Sequence, residues 1–148
     1  MREWVINNYT GYEGLTVHEC PEQEPAAGEV RIRVEAFALN WGDADLMLDN
    51  YTFSFPEMPA RVGIECSGIV DKVGAGVTNI EVGQRYCTLP YMYFNRGVSA
   101  DSIIVDPRYI VKAPASFSAV ESASIWMKYM TAYSVSYTHL TLPTTPYV

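Results

Sequence analysis

Residues 61–86 read RVGIECSGIVDKVGAGVTNIEVGQRY, and the fold follows from how this stretch is parsed. Ile64 to Val73 is a long apolar run with the composition of a strand. Gly68 interrupts it and Gly63 precedes it. Glycine in an apolar strand marks a bend or a place where another backbone comes close. A tight turn follows at Gly74-Ala75-Gly76, then Val77 to Ile80, a Glu81-Val82-Gly83 turn, and a second strand from Gln84. One carboxylate, Glu65, stands inside the apolar run. Burying a carboxylate without a partner is very costly, so Glu65 is expected to have a partner or a task.

Outward from this stretch, Glu29 to Leu39 alternates. Val30, Ile32 and Val34 point one way; Glu29, Arg31, Arg33 and Glu35 point the other. A period of two over that length predicts a half-buried strand. Residues 2–8 and 14–19 predict two further strands joined by a glycine-containing turn. Cys20 to Gly28 is a proline-containing loop. A short helix is expected from about Asn40 to Leu48, stopped by Asp49-Asn50. Tyr51 to Ala60 and Thr88 to Arg96 read as aromatic loops. Gly97 to Val105 and Tyr109 to Lys112 read as strands around Pro107-Arg108. One helix is expected from Ser118 to about Ser134, opened by the capping-box pattern Ser118-x-x-Glu121. Its residues Ile125, Trp126 and Met130 are expected to be exposed and to promote association. The periodicity stops after residue 135, and 136–148 reads as a non-native tail.

The 148 residues suffice for one domain, here 1–135. A composition 49% apolar and 18% charged is that of an ordinary globular chain. The net charge of −7 argues against nucleic acid and against anionic membrane surfaces as partners. Cys20, Cys66 and Cys87 are widely spaced, so reduced thiols are expected rather than a disulfide framework. The opening residues carry no apolar signal core, and cytoplasm is the expected location.

The central stretch resembles the medium-chain dehydrogenase/reductase superfamily. Gly63, Glu65, Gly68 and Val70 match its G-x-E-x-x-G-x-V strand. Val73-Gly74, Gly76-Val77, Val82-Gly83 and Arg85 match the turns and strand that follow. The resemblance implies a mainly β (α+β) fold, a GroES-like distorted β-barrel with short helices. In the zinc alcohol dehydrogenases of that superfamily a Cys and a His are ligands where this chain has Asn40 and Ile64. Neither is a usual zinc ligand, so no metal is expected. Asp43, Glu65, Cys66 and His18 form no recognised ligand spacing. The match is nearer the quinone oxidoreductase and enoyl reductase branch, whose A-x-N-x-x-D is matched by Ala38, Asn40 and Asp43.

That resemblance suggests site residues, each with a plainer alternative. Asn40 would lie beside the nicotinamide, or serve only as a helix cap. Tyr51 would donate to a carbonyl oxygen as hydride arrives, or only pack over its loop. Thr131 would approach the nicotinamide ribose, or bond its own helical turn. Glu65 would support the site, or pair with Arg61 or Arg85. Tyr91, Tyr93 and Phe94 would wall a flat substrate, or form a patch covered by another domain.

The resemblance thus implies a homo-oligomeric, zinc-independent, NADPH-dependent oxidoreductase acting on quinones, enones or enoyl thioesters. The Rossmann coenzyme domain is absent, because no strand leading into G-x-G-x-x-G occurs; Gly74-Ala75-Gly76 lies between strands. The chain is therefore expected to be an N-terminal fragment, inactive by itself and unable to bind NADPH. A free-standing GroES-like module that contacts protein partners through residues 51–60 or 88–96 is the alternative.

Overall fold

The computed structural model describes residues 1–89 and 97–139. Strand β1 (Arg2–Ile6) pairs antiparallel with β2 (Leu15–Glu19). Strand β3 (Val30–Ala38) leads into the short helix α1 (Trp41–Met47), and β4 (Ala60–Arg61) returns to pair with β1. Then come β5 (Glu65–Val73), β6 (Arg85–Thr88), β7 (Ser102–Val105) and β8 (Ile110–Lys112). Helices α2 (Ala119–Ala123) and α3 (Trp126–His139) follow. The strands form a three-stranded sheet, β2-β1-β4, and a five-stranded sheet, β7-β3-β5-β6-β8. This is the mainly β, short-helix architecture that the sequence resemblance implied.

Strand β5 is central because it is paired on both sides, with β3 and with β6. The β3–β5 pairing has two register irregularities, one between Arg31 and Ile32 and one between Val34 and Ala36, and Val34 stands opposite Gly68. A Cβ at Gly68 would collide with the Arg33 carbonyl. The glycine is therefore required by the close backbone approach that the sequence suggested. Gly63 is needed for a different reason: its φ is +81°, in the left-handed region where a side chain is strained.

Val30, Ile32, Cys66, Val70 and Ile103 fill the main core against the five-stranded sheet. Each fully buried aliphatic side chain contributes about 1.5–3 kcal/mol of transfer free energy. Ile6, Met47, Ala60 and Val62 form a smaller cluster beneath β1. The segment that leads into β7 is tied to the three-stranded sheet at Ser99. Its hydroxyl donates to the Trp4 carbonyl (2.7 Å) and accepts from the Val62 N–H (2.9 Å).

The structure refines several sequence expectations. Arg31, assigned to the solvent side of β3, is only 4% exposed. It does face away from the apolar core, but the loop before β3 covers it. Its guanidinium donates twice to Asp71 at 2.9 Å and once to the Gln23 carbonyl at 3.1 Å. Those bonds hold the Asp71 carboxyl below the usual aspartate range. Only Ser102–Val105 of the expected 97–105 strand joins the five-stranded sheet. Strand β4 lies at the end of a stretch read as loop, since two residues carry no period.

The helix expected over 118–134 is two helices. The capping box at Ser118 forms: its N–H donates to Glu121 at 2.8 Å, and the Glu121 N–H donates to Ser118 Oγ at 3.2 Å. The chain then turns at Ser124, whose hydroxyl and N–H both donate to the Glu121 carbonyl (3.1 and 3.2 Å). That turn draws Ile125 and Trp126 into half-buried positions, which corrects their expected exposure. Met130 is exposed, and the outer face of α3 is a tyrosine stripe of Tyr129, Tyr133 and Tyr137. Residues four apart on a helix share a face, and the rings of Tyr133 and Tyr137 stack with centroids 6.1 Å apart. An apolar stripe of this kind favours association. Light scattering of the concentrated chain is expected to give a mass above 16.6 kDa; a monodisperse monomer would count against that role.

Candidate functional site

The site begins with two strand ends. Residue Ala38, the last of β3, is registered opposite Glu65, the first of β5. The chain leaving β3 therefore delivers Asn40 to Glu65. Asn40 has extended backbone geometry and caps α1, and the Asp43 carboxylate accepts its N–H at 2.7 Å. This is the local Asn-x-x-Asp cap expected from the sequence. The side chain of Asn40 reaches further: Nδ2 donates to Glu65 Oε1 at 3.0 Å.

Glu65 is 1% exposed. A carboxylate so buried must have its lone pairs engaged, and here the first turn of α3 supplies the remaining donors. The Met127 N–H donates to Glu65 Oε2 at 3.1 Å, and Lys128 Nζ donates to Oε1 at 3.0 Å. The opening amides of a helix lack intrahelical acceptors and favour a nearby anion. Lys128 Nζ also donates to Asn40 Oδ1 at 3.3 Å. Glu65 thus joins β5, the cap of α1 and the start of α3. The partners expected from the sequence were Arg61 or Arg85, and the structure corrects both. Arg85 donates to Glu35 at 2.7 Å, and Arg61 Nε lies 3.8 Å from Glu3.

Beneath this cluster Asp43 is also buried. Burial pushes its carboxyl above the ordinary aspartate value, the Asn40 bonds oppose that rise, and the Glu65 charge adds to it. Cys66, next to Glu65 in sequence, is sealed in the core, and burial pushes its thiol up to about 12. It is therefore a thiol and not a thiolate, the wrong state for a nucleophile. Among the described residues no group of three or more His, Cys, Asp or Glu side chains could hold a metal ion.

Tyr51 packs beside the first turn of the helix that Asn40 caps. A Cβ on Gly42 would be 3.3 Å from its ring, and Phe53 meets it edge-on with centroids 5.1 Å apart. Tyr51 is still 42% exposed. Thr131 is exposed on α3, one turn beyond Lys128 on the same side of the helix. Tyr91, Tyr93 and Phe94 lie outside the described residues. Sequence reasoning missed Lys128. Lys128 stands in the first turn of a helix only because the chain breaks at Ser124, and that break left no pattern in the sequence.

The model of the alcohol dehydrogenase GroES-like domain matches residues 26–115. The chain is 31% identical over 135 residues to the synaptic vesicle membrane protein VAT-1 homolog-like of Mus musculus, covering 91% of this chain and 31% of that protein. It is 30% identical over 130 residues to quinone oxidoreductase 1 of Escherichia coli K12, covering 86% of this chain and 38% of the relative. A mycobacterial protein solved in complex with NADPH superposes with a TM-score of 0.82 at 25% identity, over 96% of this chain and 42% of that one. The chain thus spans about a third of the length of these curated relatives. The matched segment contains Asn40, Glu65 and the whole of β3 and β5. By that match and by the fold built around those two strands, the chain belongs to the alcohol dehydrogenase GroES-like domain family of the medium-chain dehydrogenase/reductase superfamily.

Proposed function

We propose that this domain forms the substrate side of a zinc-independent oxidoreductase that reduces quinones, enones or enoyl thioesters with NADPH. The observation that carries the reading is the buried Glu65 holding the Asn40 carboxamide in place. NADPH supplies the hydride when bound. What this chain adds is positioning. The Asn40 carboxamide, which Glu65 and Lys128 hold and which also joins the capping box with Asp43, carries the donor and acceptor types that a nicotinamide carboxamide or a substrate carbonyl requires. Tyr51 is the group best suited to donate to a carbonyl oxygen as negative charge develops there. Thr131 would face the ribose, and Tyr91, Tyr93 and Phe94 would cover a flat acceptor.

The names of the relatives support this reading: one is a quinone oxidoreductase and another was solved with NADPH. Three free cysteines suit a reducing, cytoplasmic setting. Pyrophosphate binding would fall to a glycine-rich segment beyond this domain. The experiment has two arms. Calorimetry on the 148 residues is expected to detect no NADPH binding. The longer protein, with chelator present, is expected to oxidise NADPH when a quinone is added. Micromolar affinity in the first arm, or dependence on a metal in the second, would contradict the proposal. A stable long protein with no NADPH turnover would favour a binding module.

A further inference from the structure

The orientation of an asparagine carboxamide is set by what faces each end. At Asn40 the two neighbours leave no ambiguity. Glu65 is a carboxylate and can only accept; Lys128 is an ammonium and can only donate. Nδ2 therefore turns to Glu65 at 3.0 Å and Oδ1 to Lys128 at 3.3 Å. The flipped amide would set oxygen against carboxylate and NH2 against ammonium, with both contacts repulsive. Glu65 alone does not close this arrangement: it draws the Nδ2 end, and the Asp43 capping box that also engages this side chain brings no cation to the Oδ1 end. Lys128 closes it, because the same Nζ also sits 3.0 Å from Glu65 Oε1. The three groups form a triangle, and Lys128 neutralises the carboxylate that the fold buries.

We infer that Lys128 is a positioning residue, which fixes the Asn40 carboxamide in one orientation and so presents a defined donor-and-acceptor edge to whatever occupies the site. The inference deepens the reading of the site as the substrate side of a reductase, and rests on it for its functional meaning. A preset edge acts without reorganisation at the moment of reaction. Lysine suits the task because its stem lets a half-exposed side chain place its charge over the buried pair. Its side chain is 52% exposed, so its loss opens no cavity, but it leaves the 1%-exposed Glu65 carboxylate without its counter-charge, and the test therefore sets Lys128→Met beside the charge-conserving Lys128→Arg.

The test uses the 148-residue chain and nuclear magnetic resonance of the Asn40 side-chain amide. In the unmutated chain the two amide protons should be distinct, protected from solvent exchange, and in Overhauser contact with the Lys128 ε-methylene. Lys128→Met should speed their exchange with water by about tenfold, the effect of losing one charge-assisted hydrogen bond, while backbone dispersion persists. Lys128→Arg should largely restore protection. A merely structural lysine would lower the melting temperature without moving these resonances. Asn40 amide signals in Lys128→Met that superimpose on wild type would overturn the inference, as would absence of the Overhauser contact in the unmutated chain. Both readouts are taken without coenzyme, so they are decided whatever the NADPH assay gives.

Discussion

Gly68→Ala is expected to lower the stability of the domain by about 3 kcal/mol, a fall in melting temperature of about 10 °C for a chain of this size. The substitution adds one methyl group, normally a favourable change in a strand. At this position the new Cβ would overlap the Arg33 carbonyl and crowd its carbon and Ile32 Cγ2, each at 2.8 Å. A backbone carbonyl cannot swing aside as a side-chain end can. Relief would require β3 and β5 to separate, and among the described residues this pairing is the longest, running from Val30 opposite Val73 to Ala38 opposite Glu65. The same pairing delivers Asn40 to Glu65, so the substitution should damage the site together with the fold. A thermal transition within about 2 °C of wild type would show that β5 does not approach β3 this closely.

Glu65→Ala has the second largest expected effect, and it acts through polar groups rather than volume. The change strands the Met127 N–H and Asn40 Nδ2 and takes away the counter-charge of Lys128. Breaking a buried ion pair costs about 3–5 kcal/mol. Lys128 is half in water and regains hydration, so a loss of about 2 kcal/mol is expected here. The loss should be local before it is global. Amide exchange at Met127 should rise steeply, because α3 is tied to β5 through that N–H. Glu65→Gln keeps an acceptor oxygen and should cost less. Equal stability of all three proteins, with Met127 still protected, would mean that Glu65 does not anchor α3.

The sequence was informative where an interaction is short in range or repeats. The Asn40–Asp43 cap and the Ser118–Glu121 capping box span three residues and stood out as patterns. The alternation of β3 and the glycines of β5 marked the two central strands. Glu65 announced itself by chemistry, as a carboxylate in an apolar run, but not its partners. Lys128 is 63 residues away in sequence, and no periodicity spans that distance. Arg61 and Arg85 are the arginines of the central stretch, but both face carboxylates nearer the surface, Glu3 and Glu35. The break at Ser124 was hidden for a related reason. A serine hydroxyl that closes on the carbonyl three residues back looks, in sequence, like any polar residue on a helix.

The polar cluster of Asn40, Glu65 and Lys128 is proposed to prepare this domain for hydride transfer without a metal. Its most direct test is isotopic. The longer protein is given NADPH carrying deuterium at both C4 positions, an enone and a chelator. The account expects deuterium at the β-carbon of the product, with turnover slowed about a hundredfold by Asn40→Ala. Unlabelled product, or labelled product formed equally fast without Asn40, would contradict it.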